Sequence, residues 1–368
     1  MPRFLPEPAY QHDQVAKIGV LLVNLGTPQA PTAAALRPYL KEFLSDPRVV
    51  EIPTLLWQPI LRGIILNTRP KKSAHKYASI WTKDGSPLLI WTRKQTALLK
   101  GYLGQRIQAP LVINYAMRYG QPAVAQRLDE LKAAGCERIL VVPLYPQYAA
   151  STTASVGDAV MAQLCRYRNQ PAIRTMHHFH DDPGYIAALA QSVRDHWQQN
   201  GRGDHLLMSF HGIPKRSLTL GDPYHCHCLK TGRLLGEALG LTSQQYTVSF
   251  QSRFGRAEWL KPYTVDTLNK LAKTGIKQLD VICPGFVSDC LETLEEIAME
   301  GKTTFLSGGG EAYRYIACLN DRSDWINALT TLVERELTGW LPSKDEADSS
   351  KNAAHERLQR ARALGAQN

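Results

Sequence analysis

The chain has 368 residues, enough for two domains that each bury a core. Its 44% hydrophobic and 21% charged content is that of a globular protein, and no apolar run reaches the roughly 18 residues that span a bilayer. The net charge of +10 favours an anionic partner, but no basic stripe interleaved with aromatics and no zinc-finger spacing is present, so no nucleic-acid module is expected.

Residues 1–15 read as an N-terminal arm. The start, MPRFLPEPAYQHDQ, lacks a signal-peptide core, and seven scattered cysteines point to thiols in a reducing compartment, so a cytoplasmic location is expected. Candidate strands follow at Gly19 to Asn24, Leu111 to Ala116, Arg138 to Leu144 and Ile173 to His178. The second half offers His205 to Phe210, Tyr246 to Gln251, Leu279 to Cys283 and Thr303 to Leu306. Helical patterns lie between them, at Ala123 to Ala134, Tyr185 to Gln199 and Val265 to Lys273. Such alternation predicts βαβ units, giving an α/β fold of two similar Rossmann-like domains. Each would be a parallel sheet flanked by helices, with a central cleft between them. The expected limits are 16–180 and 181–320, then a C-terminal helix at 321–340 packing back on the core. The polar end, 341–368, reads as a disordered or loosely helical tail.

The two halves repeat one another. LLVNLGTP (Leu21 to Pro28), MRYG (Met117 to Gly120) and VVPLYPQYAAST (Val141 to Thr152) match LLMSFHGIP (Leu206 to Pro214), SRFG (Ser252 to Gly255) and VICPGFVSDCLET (Val281 to Thr293). Ligands of open parallel sheets bind beyond the carboxyl ends of the strands, and the repeated turns sit there. Gly26 to Arg118 spans 92 residues against 41 from Gly212 to Arg253, so the first half holds an insertion of about 51, placed at about 45–95. Within it LLWQPILRGIIL (Leu55 to Leu66) precedes Arg69, Lys71 and Lys72. It reads either as a lip for a greasy ligand or membrane surface, or as an ordinary amphipathic core helix.

Only the second copy is chemically equipped at the shared turn: His211 stands opposite Leu25. A histidine there accepts a proton or ligates a borderline metal. Glu292 opens a helix after Pro284-Gly-Phe-Val-Ser, where Asp289 and Glu292 also fit a capping box. Asp289, Glu292 and Glu296 fall on one α-helical face, a carboxylate stripe suited to carrying cations or protons. HisCysHisCys (His225 to Cys228) reads as a surface turn, since its ligands are too close in sequence for a zinc site by themselves. His177, His178 and His180 could bind a metal, but as adjacent strand residues they are expected to face opposite ways. Gly308-Gly-Gly-Glu311 lacks the Gly-Lys-Ser/Thr of a phosphate loop.

NLGTP, FLSDPRVVEIP, LYPQY, SFHGIP, FQSRFG and CPGFVSDCLETLEEI occur in this order over about 270 residues. Together they closely resemble the ferrochelatase family of Gram-negative bacterial type. The resemblance implies a two-domain chelatase fold and a lyase of haem biosynthesis that inserts Fe²⁺ into protoporphyrin IX to give protohaem. It implies His211 and Glu292 as catalytic, metal-contacting residues, with Asp289 and Glu296 as an acidic relay. Arg118 and Tyr119 match the pair near the macrocycle, Tyr145 and Trp259 the pocket aromatics, and Ser86 the lip region. Leu25 matches the protoporphyrin type, where the coproporphyrin type tends to carry Tyr. Iron is then a substrate, and no prosthetic group is expected. The Cys ligands of cluster-bearing relatives are missing, with Ala150 at one such position and no Cys beyond Cys318, which argues against a [2Fe–2S] centre. Cys290 stands where some relatives carry His. Peripheral contact with the inner membrane through the lip is expected, and the oligomeric state stays open. Rival readings are a coproporphyrin or other tetrapyrrole chelatase, and a two-lobed tetrapyrrole-binding module without catalysis.

Overall fold

A computed structural model describes residues 4–255, 257–342 and 344–367. The first three residues of the arm, and residues 343 and 368 of the tail, lie outside them. Two four-stranded parallel sheets share one plan. The first, ordered β2-β1-β3-β4, comprises β1 (Lys17–Thr27), β2 (Leu111–Gly120), β3 (Cys136–Pro143) and β4 (Ala172–Thr175). The second, ordered β6-β5-β7-β8, comprises β5 (His205–His211), β6 (Tyr246–Gln251), β7 (Gln278–Ile282) and β8 (Ala312–Ile316).

Both sheets are covered on both faces, because their strands alternate between two cores. In β1, Val20 and Leu22 face one cluster while Leu21 and Val23 face another. In β5, Leu206, Met208 and Phe210 join the same cluster as Val20 and Leu22. One apolar core therefore runs between the sheets. It is completed by α7 (Pro183–Asn200) and α12 (Ser323–Glu336), whose Trp325 is fully buried.

The insertion explains the unequal halves. Between β1 and β2 lie α1 (Ala33–Leu44), α2 (Thr54–Ile60), a π-helical segment Leu61–Ile65, α3 (Leu66–Ile80) and α4 (Pro87–Arg106). Between β5 and β6 there are only α8 (Lys215–Thr219) and α9 (Tyr224–Ala238). The first half adds α5 (Val124–Ala133) and α6 (Ser155–Leu164), and the second α10 (Thr264–Lys273) and α11 (Lys302–Ser307). Widened π-helical segments follow both central strands, Ala150–Ala154 after β3 and Glu292–Gly301 after β7. The duplication thus extends to a rare backbone form that is common at functional sites.

One expectation fails, and the tail, expected to be disordered or loosely helical, is a helix. Thr303 to Leu306 is not a strand but part of α11, which continues the π-helical segment; its β-branched and aromatic residues are overridden by helical context. The strand comes after the glycines, as β8. Gly310 is required there because a Cβ would overlap the Phe305 ring. The polar tail forms α13 (Lys344–Ala363), rich in good helix formers. It is anchored where Ala354 is buried and Arg357 donates to the carbonyls of His12 (2.7 Å) and Gln14 (3.0 Å) in the arm.

Candidate active site

His211 ends β5 and pairs with Gln251 across the ladder to β6. Gly212 follows because a side chain there would strike the Gln251 carbonyl and the Trp259 ring. His211 Nδ1 lies 2.6 Å from the Gly212 carbonyl oxygen, which can only accept. In the neutral ring the proton therefore sits on Nδ1, which leaves the Nε2 lone pair free. Tyr224 holds the strand end by donating to the His211 carbonyl at 2.9 Å. The Trp259 ring stands 6.5 Å from the imidazole.

Gln251 and Ser252 tie the segment that carries Glu292 and Glu296 to the strand end next to this histidine. The Gln251 side-chain amide donates to the Glu292 carbonyl at 2.8 Å, fixing the start of the π-helical segment. Ser252, with its backbone at φ +65°, donates to Glu296 from its amide (2.6 Å) and its hydroxyl (2.5 Å). Burial pushes the Glu296 pKa up. The Ser252 bonds and the His211 charge oppose that rise, and the Glu292 charge adds to it. Glu296 thus lies within electrostatic reach of both His211 and Glu292.

The π-helical geometry corrects the expected carboxylate face. Bonding from i to i+5 brings residues four and five apart into line, rather than three and four. Lys76 shows this directly, reaching Glu295 and Glu300 at 2.9 Å each. Glu292 and Glu296 align on another face, whereas Asp289 precedes the segment. Its carboxylate is occupied by Tyr315 (2.6 Å), Asn320 (2.6 Å) and Thr293 (3.0 Å). It braces the loop and does not pair with Glu292 as a capping box.

Two residues that the sequence did not single out face Glu292 from the insertion: Tyr39 on α1 and Tyr77 on α3. Burial first, and the Glu292 charge among other causes, raise both phenols well above their usual range, so both stay protonated. Leu25 and Leu291 pack in the same cluster as these tyrosines, so the Leu25 wall meets the second half next to Glu292.

Arg118 and Tyr119 are held more tightly than expected. Arg118 donates to Asp46 (2.6 Å) and to the Ser155 hydroxyl (2.6 Å) and carbonyl (2.9 Å). Tyr119 is fully buried and donates to Asp46 at 2.8 Å. It stands behind the wall and supports it. Tyr145 packs on the same side, and its buried hydroxyl has no partner among the described residues. Ser86 is buried too, accepting from Thr27 at 2.8 Å; it ties the turn after β1 to the start of α4.

Burial alone would raise the Asp46 pKa. Hydrogen bonds from Ser155, the Arg48 amide and Tyr119, with the Arg118 charge, hold it below the usual range. A depressed carboxylate pKa adds stability above the unfolded value, lost as pH falls below about 3.9 through the folded value. Replacing Asp46 by Ala strands the largely buried Arg118. A loss of about 3 kcal/mol is expected, read in urea at neutral pH, and the gap to the native chain should narrow on acidification. Equal stability at neutral pH would remove Asp46 from its supporting role.

Histidines from the two segments, one read as a surface turn and the other as a strand or a possible metal-binding trio, also come together. His227 lies on α9, not in a surface turn, and neighbours His178 and His180 beyond the end of β4. Gly308 to Glu311 is only the packing turn before β8.

A family model described as Ferrochelatase matches residues 17–337. The ferrochelatase of Chromobacterium violaceum is 61% identical over 354 residues, covering 96% of this chain and 97% of that protein. That of Aromatoleum aromaticum is 60% identical and covers 100% of both chains. Among solved structures, SirB from Bacillus subtilis with Fe³⁺ aligns with a TM-score of 0.53 at 14% identity, over 88% of this chain and 97% of that one. That last likeness concerns the fold alone.

Proposed function

The chain belongs to the ferrochelatase family, and from that membership we propose a division of labour between the two walls of its site. As a ferrochelatase it is a lyase that inserts ferrous iron into protoporphyrin in haem synthesis; both are substrates. Residues 181–320 carry the reaction, and residues 16–180 hold the macrocycle and contribute the lip.

Metallation must remove two pyrrole N–H protons while the nitrogen lone pairs turn toward a cation. His211 takes a proton at Nε2, since Nδ1–H is committed to the Gly212 carbonyl. Glu292 offers a carboxylate to the metal or to a proton. Glu296, whose burial favours the protonated form, passes that proton on toward solvent. Leu25, Tyr145 and Trp259 supply apolar contact that keeps the ring bent away from planarity. Arg118 meets the propionates at the rim, held in place by Asp46, Ser155 and Tyr119 behind it.

The observation that carries this reading is the Gln251–Ser252 pair next to His211, which binds the Glu292 backbone carbonyl and the Glu296 carboxylate. With protoporphyrin and Fe²⁺ under anaerobic conditions, the native chain should develop the bands of haem. A chain lacking both His211 and Glu292 should leave the porphyrin spectrum unchanged. Haem formation by the latter would place the chemistry elsewhere.

Among the described residues no helix is long and apolar enough to cross a membrane. The lip nonetheless exposes Leu55 (90%), Leu56 (64%), Ile60 (42%) and Ile64 (58%). Leu61 and Leu66 are its buried face, and the Trp57 indole is tied to the Leu44 carbonyl at 2.6 Å. The exposed row suits an acyl surface, with the exposed Lys71 and Lys72 following toward lipid headgroups, while Arg69 is half-buried over the Phe254 ring, 4.2 Å from its centroid. Changing Leu55, Leu56, Ile60 and Ile64 to Ser should weaken sedimentation with anionic vesicles about tenfold or more. Unchanged sedimentation would leave the row to porphyrin alone.

A further inference from the structure

We propose that His178, His180 and His227 form a second metal site, separate from His211 and Glu292, for one borderline divalent cation of the Zn²⁺ type. One ligand nitrogen from each lies within 4.8 Å of the others. His178 Nδ1 and His180 Nδ1 are 3.2 Å apart. That is close to the roughly 3.3 Å edge of a tetrahedral site with Zn–N of about 2.0–2.1 Å. His227, whose ring lies within 7° of parallel to that of His180, must turn out of the stack as well as close the remaining gap. It sits in the first turn of α9, its ring stacked on His180 at 3.7 Å between centroids. Its bond from the Tyr148 amide is long, at 3.3 Å, and easily exchanged for a cation.

Donor chemistry agrees with geometry. Three imidazoles suit Zn²⁺ and its neighbours in the first transition row, and leave a fourth position for solvent. Asp181 supplies partial charge compensation 3.8 Å from His180 Nδ1, and is itself held by Lys230 at 2.6 Å. The scaffold is fixed as well. Thr231 on α9 donates to the His180 carbonyl at 2.8 Å, and Gln147 donates to Thr231 at 3.0 Å.

The placement gives the site a purpose. His178 and His180 follow the last strand of the first sheet, while His227 begins the crossover helix between β5 and β6 of the second. A cation held by all three would clip the two halves together, and with them the two walls of the insertion site.

The test is equilibrium dialysis of the full chain against Zn²⁺, paired with thermal melting with and without Zn²⁺. His227→Phe preserves the stacked ring and removes the nitrogen. It should bind one equivalent fewer than the native chain and lose the Zn²⁺-dependent rise in Tm. The double variant His211→Ala/Glu292→Gln should keep both. Should His227→Phe lower the Tm without metal, His178→Gln serves as an independent variant with the same expected loss. Native Zn²⁺ stoichiometry in both variants, or loss of that equivalent only when His211 and Glu292 are replaced, would overturn the proposal.

Discussion

His211→Ala should cut iron insertion about 10³-fold or more while the chain still binds protoporphyrin. The magnitude follows from role. A positioned general base contributes roughly 10²–10⁴-fold, and in the proposed reading the same ring also meets the metal. Alanine removes the only imidazole at the shared turn, and water cannot reproduce a base whose tautomer is set by the Gly212 carbonyl. The fold should tolerate the change. His211 is a half-buried strand end, and its backbone bonds to β6 and Tyr224 do not need the ring. The check is a steady-state insertion assay with fluorescence titration of the porphyrin; near-native turnover would remove His211 from the chemistry.

Glu292→Gln should slow insertion about 10²-fold with an unchanged Tm. The substitution keeps shape and removes charge. Gln251 binds the backbone carbonyl of residue 292, so the start of the π-helical segment survives. What is lost is the anion facing Tyr39 and Tyr77, and with it the site's means of attracting a cation beside His211. Glutamine cannot take up a proton from the macrocycle either. A native rate at saturating Fe²⁺, or a collapse of the fold, would each contradict this role.

Much of the architecture is legible in the sequence because duplication writes it twice. Matching Gly-x-Pro turns place Leu25 opposite His211, and two sheets of the same strand order put both residues at the ends of equivalent strands. The strand at Thr303 to Leu306 misleads because β-branched residues prefer strands only when the context supplies partners. There the helix simply continues from Gly301. Asp289 is assigned to the acidic face on an α-helical period, and nothing in CLETLEEI announces a π-helix. Tyr39 and Tyr77 carry no local signal at all. Their relation to Glu292 spans more than 200 residues and exists only once the insertion folds over the second half. The histidine cluster is hidden for the same reason: spacing within HisCysHisCys is uninformative when the other ligands come from the segment beyond β4.

The division between a gripping wall and a reacting wall is tested most directly by measuring porphyrin Kd and kcat together for Leu25→Ser and His211→Ala. Leu25→Ser should raise Kd about tenfold, which is about 1.4 kcal/mol of lost apolar contact, and keep most of kcat. His211→Ala should keep Kd and lose kcat. If both variants changed the same quantity by similar factors, the two walls would not have separate tasks.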